Sequence, residues 1–329
     1  MRGGGLLQRQ RRLGKSCIVP RKKRREALMY LDPTLATFTP PAGGCDCHTH
    51  IFGPFDRYPL AHERSYTPPP APVEDLIARL DCTGLERAVI VQPSAYGTDN
   101  RRTIDAVAAY PDRLRAVVVI DGTESDAALI EMHGKGARGV RLNLISAGGP
   151  RGTTVPELLT RVAARIRPLG WHIQIYTDLD VVADNAALLQ RLGVDIVLDH
   201  MAKVDATQGA AHPQFGALAR LVDAGRCWVK LSGTYRVSPE FYGNLAVTGL
   251  ARALIALNPE RMVWGTDWPH LANHNRVASA EPPPIDYHAI DYGRLLGVVP
   301  EWAESEKVVA QILSHNPARL YDFPSPAAT

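Results

Sequence analysis

From Cys45 onward, short apolar runs rich in β-branched residues alternate with longer stretches of helical period. The runs at 45–52, 88–93, 116–120, 139–144, 172–177, 195–198, 227–231 and 262–265 read as strands. Between and after them, 73–81, 103–110, 126–132, 156–167, 181–192, 214–224, 244–257 and 301–314 carry the 3.6-residue period of amphipathic helices. Eight strand–helix units in one chain predict an α/β fold, a (β/α)8 TIM barrel, rather than an open doubly wound sheet. The barrel is expected to occupy 43–329 as a single domain, behind a basic extension and lead-in at 1–42.

Strand alternation then sorts side chains by face. On the first strand it puts Asp46, His48 and His50 on one face and Cys45, Cys47 and Thr49 on the other. The cysteines are therefore expected to pack under helices, which splits the apparent Cys-x-Cys-His-x-His metal cluster. The same test turns Gln92 and Ser94 inward on strand two, Arg141 and Asn143 on strand four, and His172, Gln174 and Tyr176 on strand five. Strand six ends in Leu198-Asp199-His200, and strand seven leads into Ser232-Gly233-Thr234-Tyr235-Arg236. Strand eight runs Trp264-Gly265-Thr266-Asp267-Trp268-Pro269-His270. Buried polar groups are costly unless paired or hydrated, so a ring of them at strand ends reads as a site.

Composition narrows the partners. The chain has 329 residues, 45% of them apolar, and a net charge of +3. Residues 1–28 hold ten Lys and Arg against one Glu, leaving 27 Lys and Arg against 33 Asp and Glu for the rest. The barrel is thus mildly acidic and offers no footprint for nucleic acid. The block Arg21-Lys22-Lys23-Arg24-Arg25 is read as part of a disordered extension. No stretch is apolar and long enough for a secretory signal or a membrane span. Five cysteines in a chain this size do not make a disulfide framework, so a reducing, cytoplasmic setting is the expectation.

The ordered set His48-Thr49-His50, His200 and Asp267 resembles the amidohydrolase superfamily in its amidohydrolase 2 branch, over about 43–323. Within it the chain is similar to the 2-pyrone-4,6-dicarboxylate hydrolases and sulfomuconolactone hydrolase-type lactonases. The resemblance implies a TIM-barrel hydrolase that opens a small anionic lactone or pyrone ring from aromatic or sugar-acid catabolism. It matches Tyr66, Ser94, Arg141, Tyr176 and Arg236 to substrate-holding positions. It makes Asp267 the base and sets His200, His48 and His50 to polarise the carbonyl. The pyrone hydrolases carry a second arginine after the strand-four one; here that stretch reads Ile145-Ser146-Ala147-Gly148-Gly149, with Arg151 the nearest substitute.

Two-metal members of the superfamily have lysine on strand four and histidine on strand five, where this chain has Arg141 and Tyr176. The resemblance therefore implies one Zn²⁺ on His48, His50 and Asp267, with His200 as a further ligand, or catalysis without a metal. A zinc-dependent decarboxylase, a sugar-acid lactonase or lactone isomerase, and a non-catalytic small-acid binder are the competing functions. Oligomeric state is open, with a homodimer as one candidate.

Overall fold

The structure is a computed structural model that describes residues 34–145, 153–272 and 277–325. Arg151 and nearly all of the basic extension lie outside the described residues. Eight parallel strands form one sheet in chain order: β1 (Cys45–Thr49), β2 (Arg87–Val91), β3 (Leu114–Val118), β4 (Ala137–Asn143), β5 (His172–Tyr176), β6 (Ile196–Leu198), β7 (Cys227–Leu231) and β8 (Met262–Trp264). The backbone N–H of His50 donates to Trp268 O at 2.7 Å, and that of Asp267 to His48 O at 2.9 Å. These bonds bring the end of β8 back onto β1 and close the sheet into the predicted barrel.

Helices follow the strands on the outside: α1 (Val73–Thr83), α2 (Arg101–Ala109), α3 (Asp126–Gly134) and α4 (Val155–Ile166) after β1 to β4. Local chemistry starts and stops them. Thr154 and Glu157 form a reciprocal capping box at the head of α4, and Gly84 ends α1 in the left-handed region at φ +79. The helix predicted at 181–192 breaks at Asn185 into α5 (Leu179–Asp184) and α6 (Ala186–Arg191), because the Asn185 side chain bonds back to Val181 O. α7 (Phe215–Asp223) and the short α8 (Thr234–Val237) lead to α9 (Leu245–Leu257). The closing helical region runs longer than predicted, from α10 (Tyr292–Gly297) to α13 (Asn316–Tyr321), with α11 (Val299–Ala303) ending at the left-handed Glu304 and α12 (Glu306–Ala310) following it. Among the described residues no helix is long and apolar enough to cross a membrane.

The core has two parts. Strand residues such as Ala88, Ile90, Val140, Ile173 and Leu198 pack with the helices. Their alternates, Val89, Val91, Val117, Val197, Trp228 and Val263, fill the barrel interior, where Tyr321 and Phe323 join them and plug the lower end. Asn316 fixes that plug by donating to Pro259 O and Met262 O.

Cys45 and Cys47 belong to this interior cluster, not to the helix-facing layer that simple alternation predicts. The reason is a register shift. Asp46 pairs with Ala88 but Thr49 pairs with Ile90, so three steps on β1 match two on β2. This bulge changes the inward phase from odd to even residues. Cysteines face inward below it and His48 and His50 face inward above it. Asp46 does not share the histidines' face. Its carboxylate accepts from His48 N and Thr266 N, both at 3.0 Å, and from Tyr292 OH at 2.7 Å, which pins the bulge to the end of β8 and to α10.

Candidate active site

The strand ends gather a buried polar cluster at one mouth of the barrel. His48 Nε2 lies 3.3 Å from His50 Nε2 and 3.5 Å from Asp267 Oδ1, and His50 Nε2 lies 3.4 Å from the same oxygen. His200 Nε2 is 3.9 Å from Asp267 Oδ2. Each ring is oriented by its other nitrogen. His50 Nδ1 meets Val91 O at 2.7 Å, His200 Nδ1 meets Ser232 Oγ at 3.0 Å, and His48 Nδ1 faces Asp199 Oδ1 at 3.3 Å. A donating Nδ1 leaves the Nε2 lone pair facing the cluster.

Asp267 sits at φ +64, a strained setting for a residue other than glycine. Its Oδ2 accepts from Tyr235 OH at 2.6 Å and from Arg236 Nε at 2.9 Å. Its Oδ1 is buried and has no hydrogen-bond partner. Burial alone would raise this carboxyl, but the Arg236 guanidinium beside it overturns that and holds it well below the ordinary carboxylate range. Burial takes His200 down to about 4 and His48 well below the usual imidazole value, so both rings are neutral at pH 7.

Beneath these groups lies a charged layer. The fully buried Lys230 donates to Gln174 Oε1 at 2.7 Å and Cys47 O at 2.9 Å, and stands 3.6 Å from Asp199 Oδ1. Asp199 Oδ2 accepts from Gln174 Nε2 at 3.0 Å and lies 3.5 Å from Arg141 Nε. Burial would raise Asp199, yet the hydrogen bond from His48 and the ammonium of Lys230 hold it well below its usual range.

The expected substrate-holding residues take different places. Arg141 is buried beside Tyr176, its guanidinium 5.6 Å from the ring centroid, and its Nε has no hydrogen-bond partner. Ser94 and Tyr66 meet at 3.4 Å. Tyr176 stands edge-on to His200, with ring centroids 5.3 Å apart. Arg236 is already paired with Asp267. Gln92 staples its own loop by bonding Gly97 O, Asp99 O and Thr103 Oγ1. His172 lies deep against Tyr321, away from the mouth. Sequence reasoning passed over Lys230 and Tyr235. A lone lysine at the parity of Trp228, in an otherwise apolar strand, was the signal available for the first.

Three of these groups, His48, His200 and Asp267, bring ligand-type atoms within 4.8 Å of one another. Neutral imidazoles and an ionised carboxylate oxygen without a donor fit a divalent cation. The amidohydrolase family's sequence profile matches residues 45–323. The chain belongs to the amidohydrolase family. This amidohydrolase is 33% identical to 2-pyrone-4,6-dicarboxylate hydrolase of Comamonas testosteroni over 89% of its own length and 94% of the relative's. It is 34% identical to 4-sulfomuconolactone hydrolase of Hydrogenophaga intermedia, over 86% and 90% of the two chains. The apo crystal structure of an Agrobacterium tumefaciens protein superposes with a TM-score of 0.74 at 26% identity, covering 88% of this amidohydrolase and 99% of that chain.

Proposed function

We propose that this chain is a hydrolase that opens a small anionic lactone or pyrone ring by Asp267-assisted attack of water. The observation that carries this reading is the buried, unpartnered Asp267 Oδ1 facing the Nε2 atoms of His48 and His50. The names of the two hydrolase relatives, which act on a pyrone dicarboxylate and a sulfomuconolactone, support the same ring chemistry. Tyr235 and Arg236 fix Oδ2, so Oδ1 is left to take a proton from water as its oxygen attacks the ring carbonyl. The acyl–oxygen bond then breaks, and Asp267 returns the proton to the departing ring oxygen. Arg141, which lines a cleft beside Ser94 while its Nε faces Asp199, has the guanidinium fork that suits a substrate carboxylate or sulfonate.

His48, His200 and Asp267, with His50 beside them, would hold one zinc ion. Zinc, when bound, supplies a charge that brings the pKa of water from 15.7 toward about 7. A carboxylate held as acidic as Asp267 is a weak acceptor alone, and it suits a water acidified in this way.

Asp267→Asn is expected to lower kcat about 10²–10⁴-fold while lactone binding, read by calorimetry, persists. A near-normal kcat would sink the assignment. Metal analysis is expected to find one zinc per chain, lost on chelation together with turnover. Full activity in the metal-free protein would leave the side chains as the whole machinery.

A further inference from the structure

Next to the catalytic cluster a second cleft, of about 220 Å³, opens between the ends of β2, β3 and β4 and the first turns of α4. Arg141 and Ser94 border it, which joins it to the site described above. One wall is apolar: Val119, Ile120, Leu142, Leu144 and Leu158. Arg64 and Arg161 also line the cleft. Whole-ligand pockets run from about 300 to 1,000 Å³, so this volume takes part of a molecule rather than all of it.

The acids at the cleft are already engaged: Asp199 Oδ2 lies 3.5 Å from Arg141 Nε, and the charge of Arg161 acts on Asp121. Asp121 is engaged by Thr123, accepting from its N–H at 2.8 Å and its hydroxyl at 2.6 Å, and Glu63 also has a partner. Arg64 spends Nη1 on Ala61 O and Nη2 on Thr67 Oγ1, both at 3.0 Å, and its Nε is buried with no hydrogen-bond partner. Arg141 Nε also makes no hydrogen bond, but it faces Asp199 Oδ2 at 3.5 Å, so Arg64 is the guanidinium with a spare buried donor. Arg161 is exposed and lies across Gly122, close enough that an added Cβ would come within 3.3 Å of its Nε. A buried guanidinium N–H without an acceptor, as at Arg64 Nε, is costly, and an anion entering the cleft would satisfy it. The apolar wall needs a hydrocarbon stem on that anion.

We propose that this cleft is a subsite for an aliphatic arm ending in a carboxylate or sulfonate, so that the preferred lactone carries its anion on a carbon chain rather than directly on the ring. The inference rests on the lactone-opening function. It adds a specificity determinant, the wall of Leu142, Leu144 and Leu158 with Arg161 at the rim, and separates chain-borne from ring-borne anions as substrate classes.

The test is acid release by the full chain from γ-butyrolactones bearing carboxymethyl, 2-carboxyethyl and 3-carboxypropyl arms. A ring carboxylate and an uncharged propyl arm are run beside them. The wild type is expected to gain up to about fourfold in kcat/KM per added methylene. Leu158→Trp should lower kcat/KM for the 3-carboxypropyl lactone at least tenfold more than for the ring carboxylate. Arg161→Leu should penalise the anionic arm relative to the propyl arm, and as a surface change it decides the matter if the tryptophan variant does not fold. Length-independent rates, or a variant that acts equally on all substrates, would overturn the subsite. If no lactone in the panel is opened, the hydrolase reading falls, and the cleft is judged by calorimetry with glutarate and suberate. Tighter suberate binding that either variant weakens supports the subsite, and no binding to either overturns it.

Discussion

Lys230 offers the sharpest test of the layer beneath the candidate active site. Its ammonium is fully buried and has two close acceptors, Gln174 Oε1 at 2.7 Å and Cys47 O at 2.9 Å, with Asp199 Oδ1 at 3.6 Å. Burial lowers its pKa, while Asp199 works in the opposite direction. Lys230→Met keeps the stem and removes the charge, leaving Asp199 with Gln174, Arg141 and His48 around it. Removing one partner of a buried pair costs about 3–5 kcal/mol, a large share of a typical total of about 5–15 kcal/mol. Were the lysine neutral, the loss would be about 1 kcal/mol for each of its two ordinary hydrogen bonds. Urea unfolding followed by circular dichroism measures the difference. Asp199→Asn and the double variant complete a cycle, in which the double should cost less than the sum of the singles by about 0.5–3 kcal/mol. A single-variant cost of about 2 kcal/mol or less, or strict additivity, would refute a charged Lys230–Asp199 pair.

Two further outcomes follow from the geometry. Gly233 sits at φ +58, and a Cβ there would lie 2.5 Å from His200 Nδ1. Gly233→Ala should therefore push the ring off Ser232 and lower kcat well beyond the strain cost of about 1–2 kcal/mol, and wild-type turnover would show that His200 does not need this orientation. His172 is buried with both nitrogens unpartnered and a pKa lowered by burial to about 3, against about 6.5 when unfolded. Its depressed value contributes stability above pH 6.5 that is lost as pH falls toward 3. His172→Leu should flatten the dependence of unfolding free energy on pH between those values by up to about 1.4 kcal/mol per pH unit, and parallel slopes in the two proteins would exclude this histidine as an acid sensor.

The eight strands and their order were legible because each is an apolar run of strand length separated by helical period, and parallel barrels impose that rhythm on the chain. The two ends of the site, His48/His50 and Asp267, were legible as polar residues at strand ends. What escaped depends on contacts between strands. The β1 bulge has no glycine at Cys47 or His48 to announce it, so alternation carried through it put the cysteines on the wrong side. Lys230 stands out in the sequence only as a lone charge in an apolar strand, and its role depends on Gln174 of β5 and Asp199 just after β6. Arg236 has the residue type for gripping a substrate anion, but the short α8 turns it onto Asp267.

The bulge at Asp46 works as a phase changer between two halves of one strand. Below it, Cys45 and Cys47 obey the packing rules of an apolar plug; above it, His48 and His50 obey those of the polar cluster proposed as the reaction centre. The lower barrel can thus be repacked with other apolar side chains without re-aiming the imidazoles. Loss of a single residue between Asp46 and Thr49 would instead leave every other strand in place and turn the histidine pair toward the helices. Chemistry and stability share the strand, and one inserted residue keeps their demands apart.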